Sequence, residues 1–280
     1  MTYKELWQCL TKVYDEGEAK AIARMTYEER FGLTLSDIYL GKDTQLSADN
    51  QTELEEIAKR LLQGEPIQYV LGQADFCGRT FLVNEYVLIP RPETEELCHW
   101  ITSQRVCPPV RLLDIGTGSG CIAITLAAEI PQAKVTAWDI SAEALEVARE
   151  NAKRANVHVS FEQVDVFNSQ LSIVNCPFDL IVSNPPYICN KECEAMEPNV
   201  LEHEPHTALF VPDDDPLLFY RAIAQYGQTA LKDGGWLYFE INPLYAQDLC
   251  DMLCAMRFCR IEIKEDQYGK QRMIRAQRSE

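Results

Sequence analysis

Apolar residues recur along the chain with two different periods, and the change of period separates two kinds of predicted structure. In the first 72 residues they lie three and four positions apart, as Leu54, Ile57 and Leu61 do, which places them on one face of a helix. Ser36 and Ser47 stand where helices are expected to begin, and serine is a favoured N-cap residue. The pattern predicts a bundle of four or five helices over residues 1–72.

The period shortens to that of strands between residues 73 and 92. Three short apolar runs, the last at residues 87–89, are separated by turn-forming residues. This alternation predicts a β-hairpin linker. Pro90 and Pro92 then fix a turn, because proline locks φ at about −65°, and a helix is expected to follow from about residue 94 to 102.

Predicted strands and helices alternate through residues 93–280, which is typical of a mostly parallel sheet covered by helices on both faces. The predicted strands are residues 110–115, 134–138, 157–163, 180–183, 235–240, 261–265 and 273–276, and the predicted helices are 120–129, 142–155, 216–230 and 243–256. The fold class is therefore α/β. A long irregular segment at residues 190–215 is more typical of a functional site than of an idle connection.

The fourth predicted strand of this region runs into a segment that cannot continue it. Asn184 follows the strand, and neither Pro185 nor Pro186 has a backbone N–H to donate to a sheet. The stiff bend is expected to aim the Asn184 side-chain oxygen and the Pro185 carbonyl at one place, where two acceptors suit a planar –NH2 group. Tyr187 offers a ring face for a flat amide or base. These four residues are the candidate catalytic and substrate-binding residues, and the competing interpretation is a proline-stiffened turn without a chemical role.

A glycine-rich loop follows the first strand of the same region. The candidate ligand-binding residues in and before it are Asp114, Gly116, Thr117, Gly118, Ser119 and Gly120. Glycines allow a tight turn and close approach of a ligand. The spacing is not that of a dinucleotide-binding loop, since the third glycine of that motif would stand where Cys121 is. An acid at the strand end would repel a pyrophosphate but suits a cationic ligand.

Two further acids follow the next two strands. Asp139, followed by Ile140, ends the second strand, where a carboxylate can accept from both hydroxyls of a ribose. Asp165 follows the third strand and is expected to accept from an adenine amino group, with Val166 and Phe167 as apolar walls. A solvated acid at a strand end is the competing interpretation for either residue alone. A nucleoside that carries a positive charge describes S-adenosylmethionine, with S-adenosylhomocysteine as product.

Composition narrows the classes of partner. The formal net charge is −17, which argues against tight non-specific binding to a nucleic-acid backbone. The eleven cysteines are scattered, as in a reducing compartment. Cys189, Cys193, His203 and His206 match no closed zinc pattern, so no metal is predicted. The chain has no run of 18 apolar residues and its first residues have no apolar signal core, which predicts a cytoplasmic protein without a membrane partner.

The motifs together resemble those of class I S-adenosylmethionine-dependent methyltransferases that methylate an amino group. Residues 64–69 (Gly-Glu-Pro-Ile-Gln-Tyr), 89–95 (Ile-Pro-Arg-Pro-Glu-Thr-Glu) and 204–209 (Glu-Pro-His-Thr-Ala-Leu) further resemble the HemK/PrmC family, the peptide chain release factor N5-glutamine methyltransferases. Two departures from the family are the absence of glycine at 210–215 and the Asp-Val-Phe sequence at 165–167.

This resemblance implies an activity and a division of labour. The methyl group would go to N5 of the glutamine in the Gly-Gly-Gln motif of class I release factors. It implies a Rossmann-like catalytic domain at residues 93–280, a linker at 73–92 and a helical bundle at 1–72 that docks the release factor. Asn184 would contact the cofactor as well as the substrate, and the enzyme would act as a monomer.

Two other functions are compatible with parts of the pattern. The Asn-Pro-Pro-Tyr sequence also occurs in methyltransferases that act on exocyclic amines of nucleic-acid bases, which need an extruded base and a basic channel. A cofactor-binding scaffold that has lost catalysis would share the glycine loop. The acidic composition counts against the first alternative, and the intact Asn184 counts against the second.

Overall fold

The computed structural model describes residues 1–104, 109–168 and 177–279 of the 280-residue chain. Packing divides the chain into two units, of which the first is Met1–Gln73 with Glu197–His203 and the second is Ala74–Met196 with Glu204–Glu280. Residues 197–203 belong to the catalytic domain in the sequence analysis, whereas in the structure they group with the N-terminal residues. Within the described ranges, no helix is both long and apolar enough to cross a membrane.

The first unit begins with helices α1 (Tyr3–Leu10), α2 (Glu16–Met25), α3 (Leu35–Tyr39), α4 (Ala48–Leu62) and α5 (Ile67–Leu71). Their apolar faces meet in one cluster that includes the fully buried Leu54 and Leu61, so the predicted bundle is confirmed. Ser47 caps α4 as predicted, accepting from the Asn50 N–H. The prediction for Ser36 is wrong, because Thr34 caps α3 two residues earlier through the Asp37 N–H.

The remaining helices are α6 (Pro92–Ser103), α7 (Cys121–Glu129), α8 (Ala142–Arg154), α9 (Pro198–His203), α10 (Leu218–Ala230) and α11 (Ala246–Ala255). The strands are β1 (Gln73–Phe76), β2 (Arg79–Leu82), β3 (Arg111–Ile115), β4 (Lys134–Asp139), β5 (Val159–Gln163), β6 (Phe178–Ser183), β7 (Ile188–Cys189), β8 (Phe210–Val211), β9 (Leu231–Glu240), β10 (Phe258–Glu265) and β11 (Gln271–Arg278).

The linker pairs β1 with β2 as a hairpin, but its third predicted strand is absent. Residues 87–89 form no strand. The Ile89 N–H donates instead to the Glu204 carboxylate at 3.3 Å. Residues 87–89 thus have the apolar composition of a strand, but a side chain and not a neighbouring strand accepts from the backbone N–H of Ile89.

Seven strands form the main sheet in the order β10-β11-β9-β6-β3-β4-β5. The strands from β9 to β5 in that order are parallel, and β11 is antiparallel to both of its neighbours. The predicted mostly parallel sheet is confirmed. The chain runs outward from β3 to β5 and returns to the other side of β3 with β6. Where strand order reverses in this way, a crevice opens at the carboxyl ends of the strands.

Helices cover both faces of this sheet, because successive side chains of a strand point to opposite faces. Leu112 of β3 packs in a cluster with Leu97 of α6 and Leu126 of α7. Its neighbour Leu113 packs in a second cluster with Ile223 of α10. Both β3 leucines are fully buried. The strand that carries the glycine loop is therefore held rigidly at the centre of the core.

Candidate active site

A cavity of about 410 Å³ opens at the carboxyl ends of β3, β4, β5 and β6. Its size falls in the range of small-molecule sites. The lining includes these residues singled out from sequence: Gly116, Thr117, Gly118, Ser119, Asp139, Ile140, Asp165, Val166, Phe167, Asn184, Pro185 and Pro186. Asp114, Gly120 and Tyr187 do not line it.

Strand register brings the predicted residues together. Ile115 at the end of β3 is level with Trp138 of β4 and with Ser183 of β6. The residues that follow these three, among them Asp139 and Asn184, therefore emerge side by side at one edge. The Ser183 hydroxyl donates to the Ile115 carbonyl at 2.6 Å and ties the two strand ends to each other.

The glycine loop presents bare backbone to the cavity. Gly118 has φ +53°, and a Cβ added there would meet nothing within 4 Å, so the space over the loop is open to a ligand. Gly120 has a different function. A Cβ there would lie 2.9 Å from Ile124 Cδ1 and 3.1 Å from Ala148 Cβ, so this glycine permits close packing of α7 on α8.

Asp139 is held in a fixed orientation at the end of β4. Its Oδ2 accepts from the Gly118 N–H at 2.8 Å and its Oδ1 from the Ser141 N–H at 2.9 Å. Burial raises the pKa of this carboxyl, and the backbone N–H groups of Ser141, Gly118 and Ile140 oppose that effect. Each oxygen keeps a second lone pair, so the carboxylate suits a ligand that has neighbouring hydroxyls. Asp165 also lines the cavity, and its Oδ1 accepts from the Phe167 N–H at 2.9 Å.

Asp114 lies beneath the loop, not in the cavity as the sequence analysis expected. Its side chain is fully buried. Its Oδ2 accepts from the Thr117 hydroxyl at 2.6 Å, while its Oδ1 has no hydrogen-bond partner among the described residues. Burial raises the pKa of this carboxyl to about 7. Asp114 thus acts on the loop through Thr117 and does not face a ligand.

Asn184 lies where β6 ends and lines the cavity beside both prolines. Its Nδ2 donates to the hydroxyl of Thr94 at 3.3 Å. Thr94, the third residue of α6, donates its own hydrogen to Glu240 Oε2 at 2.6 Å. Both Thr94 and Glu240 are buried. The –NH2 group of the Asn184 side chain is therefore bonded to Thr94, which leaves its oxygen without that partner.

The structure corrects the expectation for Tyr187. Its ring does not line the cavity and instead packs against the second core cluster. Its hydroxyl donates to Glu240 Oε1 at 3.1 Å, and burial together with this carboxylate raises the pKa of the phenol. Tyr187 therefore contacts the core behind the segment, and its ring does not form a wall of this cavity.

Sequence reasoning missed four residues of this region, namely Arg91, Thr94, Glu204 and Glu240. Arg91 lines the cavity, and its guanidinium pairs with the buried Glu204 carboxylate. This pair ties the segment before α6 to the segment before β8. The available signals were the charge of Glu240 at the end of an apolar run, and the arginine, the threonine and the acid that Arg91, Thr94 and Glu204 place inside the sequence runs at 89–95 and 204–209.

Two stretches of the chain match models of known protein families. Residues 4–72 match the family model of the PrmC N-terminal domain, and residues 100–203 match that of the methyltransferase small domain. A solved structure of a 16S rRNA N2 methyltransferase from Thermus thermophilus, RsmC with AdoMet and guanosine, has a TM-score of 0.52 at 17% identity. It covers 74% of this chain and 49% of that one, and it shows the shared fold.

Two curated relatives align over nearly the whole chain. A release factor glutamine methyltransferase from Bacteroides thetaiotaomicron is 49% identical and covers 97% of each chain. One from Flavobacterium psychrophilum is 42% identical and covers 96% of this chain and 95% of its own. With this identity over this coverage, the chain belongs to the family of release factor glutamine methyltransferases.

Proposed function

We propose that this chain transfers the methyl group of S-adenosylmethionine to the side-chain nitrogen N5 of the glutamine in the Gly-Gly-Gln motif of peptide chain release factors. The observation that carries the proposal is Asn184, which lines the cavity at the end of β6 with its –NH2 group held by Thr94. Its oxygen is thereby free to accept from a substrate amide. The names of the relatives at 49% and 42% identity support the choice of substrate.

The residues around the cavity fit the cofactor. When bound, S-adenosylmethionine supplies an electrophilic methyl group on a sulfonium. Asp139, already oriented by two backbone amides, offers its remaining lone pairs to the ribose hydroxyls. Asp165, Val166 and Phe167 line the part of the cavity that suits the adenine. The open space over Gly118 would leave room for the methionine end.

Orientation is the main contribution of the protein to the reaction. A carboxamide nitrogen is a poor nucleophile, because its lone pair is delocalised into the carbonyl. The Asn184 Oδ1 and the Pro185 carbonyl accept from its two N–H groups and hold the nitrogen toward the methyl group. Orientation can contribute up to roughly 7–11 kcal/mol, and each positioned dipole roughly 3–4 kcal/mol. As the N–C bond forms and the S–C bond breaks, one amide proton leaves to water, so no strong base is required.

We further propose that the first unit contributes to docking of the release factor, and that the enzyme acts as a monomer in the cytoplasm without stable nucleic-acid binding. The match of residues 4–72 to a family-specific domain supports docking. The net charge of −17 supports the absence of nucleic-acid binding. Light scattering of the purified chain at several concentrations tests the monomer, and a dimer mass would contradict it.

One assay tests the activity against its alternative. The chain is incubated with labelled S-adenosylmethionine and either a class I release factor or total nucleic acid. We expect label in the release factor and none in a variant whose motif glutamine is replaced by alanine. Label in nucleic acid alone would support a methyltransferase of exocyclic base amines and overturn the proposal.

A further inference from the structure

We propose that Thr94 and Glu240 are positioning residues that fix which way round the Asn184 amide stands, so that its oxygen and not its –NH2 group faces the substrate. The inference rests on the proposed function, since it concerns the group that accepts from the substrate amide. Glu240, a buried acid that takes no direct part in the transfer reaction, would thereby have a function.

The three side chains form one chain of hydrogen bonds. Glu240, 1% exposed, accepts from the Thr94 hydroxyl at 2.6 Å and from the Tyr187 hydroxyl at 3.1 Å. Thr94, 2% exposed, accepts in turn from Asn184 Nδ2 at 3.3 Å. Asn184 and Thr94 both line the cavity, Asn184 as the more exposed of the two, whereas Glu240 does not line it.

The direction of these bonds follows from what each group can donate. An ionised carboxylate only accepts, and a hydroxyl has a single hydrogen. Because Thr94 gives that hydrogen to Glu240, it presents only lone pairs to Asn184. The Asn184 –NH2 group must therefore point at Thr94, since the reversed amide would set two oxygen atoms against each other without a hydrogen between them. The two orientations of an asparagine amide are otherwise nearly equal in shape.

The surroundings of Glu240 act on its carboxyl in opposite directions. Burial raises the pKa of its carboxyl and the charge of Glu93 adds to that effect, whereas the hydrogen bonds from Thr94 and Tyr187 and the charge of Arg272 oppose it. Arg272 is paired with Asp266 at 3.6 Å. Two hydroxyl donors and one nearby guanidinium thus offset part of the effect of burial, and the pKa of the Glu240 carboxyl stays above its usual value.

A purely structural role for the pair predicts different behaviour from a positioning role. If Thr94 and Glu240 only stabilise the fold, then removing the Thr94 hydroxyl lowers stability and affects every function to a similar degree. If they orient the amide, the loss is confined to the chemical step. It must also disappear once Asn184 has no amide to orient.

The test is single-turnover methylation of a class I release factor at saturating S-adenosylmethionine. Thr94→Val keeps the shape and removes the hydroxyl, and we expect its rate to fall roughly ten- to a hundredfold, less than the 10²–10³-fold typical of losing one directly contacting group. Thr94→Ser restores the hydroxyl and should recover most of the rate. Calorimetry should show cofactor affinity within roughly threefold of the wild type for both, because neither change touches the nucleoside end.

The matched control is Thr125→Val. Thr125 is as deeply buried as Thr94, at 2% exposure, and its hydroxyl has no partner among the described residues. It lies on α7 outside the cavity lining. We expect this variant to methylate at the wild-type rate. A loss equal to that of Thr94→Val would mean that any buried hydroxyl matters here and would overturn the inference.

A double-mutant comparison separates the two roles even if Thr94→Val is poorly folded. In the Asn184→Ala background, a further Thr94→Ala or Glu240→Gln change should not slow the residual reaction, because coupled residues are not additive. An additional loss as large as in the wild-type background would overturn the positioning role.

If the wild-type chain methylates the release factor but Thr94→Val keeps the full rate, only this inference fails. If the wild-type chain does not methylate it at all, the proposed function fails.

Discussion

At the scale of single residues, Asn184 is the group on which the proposed reaction depends most directly. Asn184→Ala removes the acceptor for the substrate amide, so we expect kcat to fall by roughly 10²–10³-fold, as for one positioned polar group. Cofactor affinity should change by less than about tenfold, because the side-chain oxygen faces the amide. The measurement is single-turnover methylation at saturating cofactor, with calorimetry beside it. Near-normal turnover would contradict the mechanism.

Asp139 should determine how tightly the chain binds S-adenosylmethionine. Asp139→Ala removes the acceptor for the ribose and also leaves the N–H groups of Gly118 and Ser141 without their partner. We expect S-adenosylmethionine binding to weaken by about 1.5–3 kcal/mol, the usual value for hydrogen bonds to a charged group. Calorimetry measures this directly. The exposed Asp248 of α11 serves as control, and equal losses in Asp139→Ala and Asp248→Ala would show that the effect is not local.

Asp114 gives the unfolding free energy a distinctive pH dependence. Its pKa is about 7 in the folded chain and about 4 when exposed. The folded state therefore holds a proton that the unfolded state has lost, and the contribution to stability falls as pH rises from about 4 to 7 by up to about 1.4 kcal/mol per pH unit. Asp114→Asn keeps an acceptor for Thr117 without the charge. Urea unfolding from pH 4.5 to 7.5 should show that the variant loses this slope.

The difference in unfolding free energy between the wild type and Asp114→Asn should depend on pH. Above pH 7 the wild-type chain buries a charge that Asp114→Asn does not, so we expect the variant to be the more stable of the two there. Near pH 4 the difference should become small. A variant that loses stability by the same amount at every pH would show that Asp114 stays ionised through a partner outside its described contacts.

At the scale of elements, the ends of two segments beside the cavity depend on one buried ion pair. The Glu204 side chain is 1% exposed and Arg91 is 32% exposed. Glu204 also accepts from the Ile89 N–H. Arg91→Ala leaves an uncompensated buried carboxylate, which typically costs about 3–5 kcal/mol. Glu204→Ala leaves a partly exposed guanidinium that water can solvate, so it should cost less. Urea unfolding of both variants gives the order, and the reverse order would contradict this reading of the pair.

Elements were predictable wherever local pattern decides structure. The central strands and the helices between them follow from runs such as residues 110–115, since a buried parallel strand is apolar along its length. Residues 87–89 have the same composition but find Glu204 as partner, 115 positions away in sequence. The Ser36 prediction failed because Thr34 and Ser36 are both good caps, and it is Thr34 that forms a capping box with Asp37, whose carboxylate accepts from the Thr34 N–H.

The residues of the candidate site also fall into those that local sequence predicts and those that depend on distant partners. Gly118, Asp139 and Asn184 each lie within one strand-to-loop junction, so a short stretch of sequence reveals them. The hydrogen bonds of Thr94 join it to residues 90 and 146 positions away. The local pattern of apolar and polar residues cannot predict hydrogen bonds between residues so far apart in sequence. Tyr187 was misjudged for the same reason, because the partner that turns it inward, Glu240, is 53 positions away.

At the scale of the whole molecule, every residue of the cavity lining belongs to the second unit. A chain that starts at Gly72 should therefore keep its affinity for S-adenosylmethionine and methylate an intact release factor poorly, if the first unit docks that partner. The measurement is calorimetry together with the methylation rate, on intact release factor and on a short Gly-Gly-Gln peptide. A full rate on the intact partner would mean that the first unit is only structural.

The position of β11 in the sheet has a consequence for how the chain acquires its structure during synthesis. β11, residues Gln271–Arg278, lies between β9 and β10 although it follows both in sequence. A growing chain that has not reached residue 271 therefore exposes the open edges of both strands, and such edges invite pairing with other chains. Parallel strands can assemble earlier, as the ribosome delivers them in order. The sheet can be completed only after β11 has emerged, so the edge of β9 stays open until the last strand of the sheet has been synthesised.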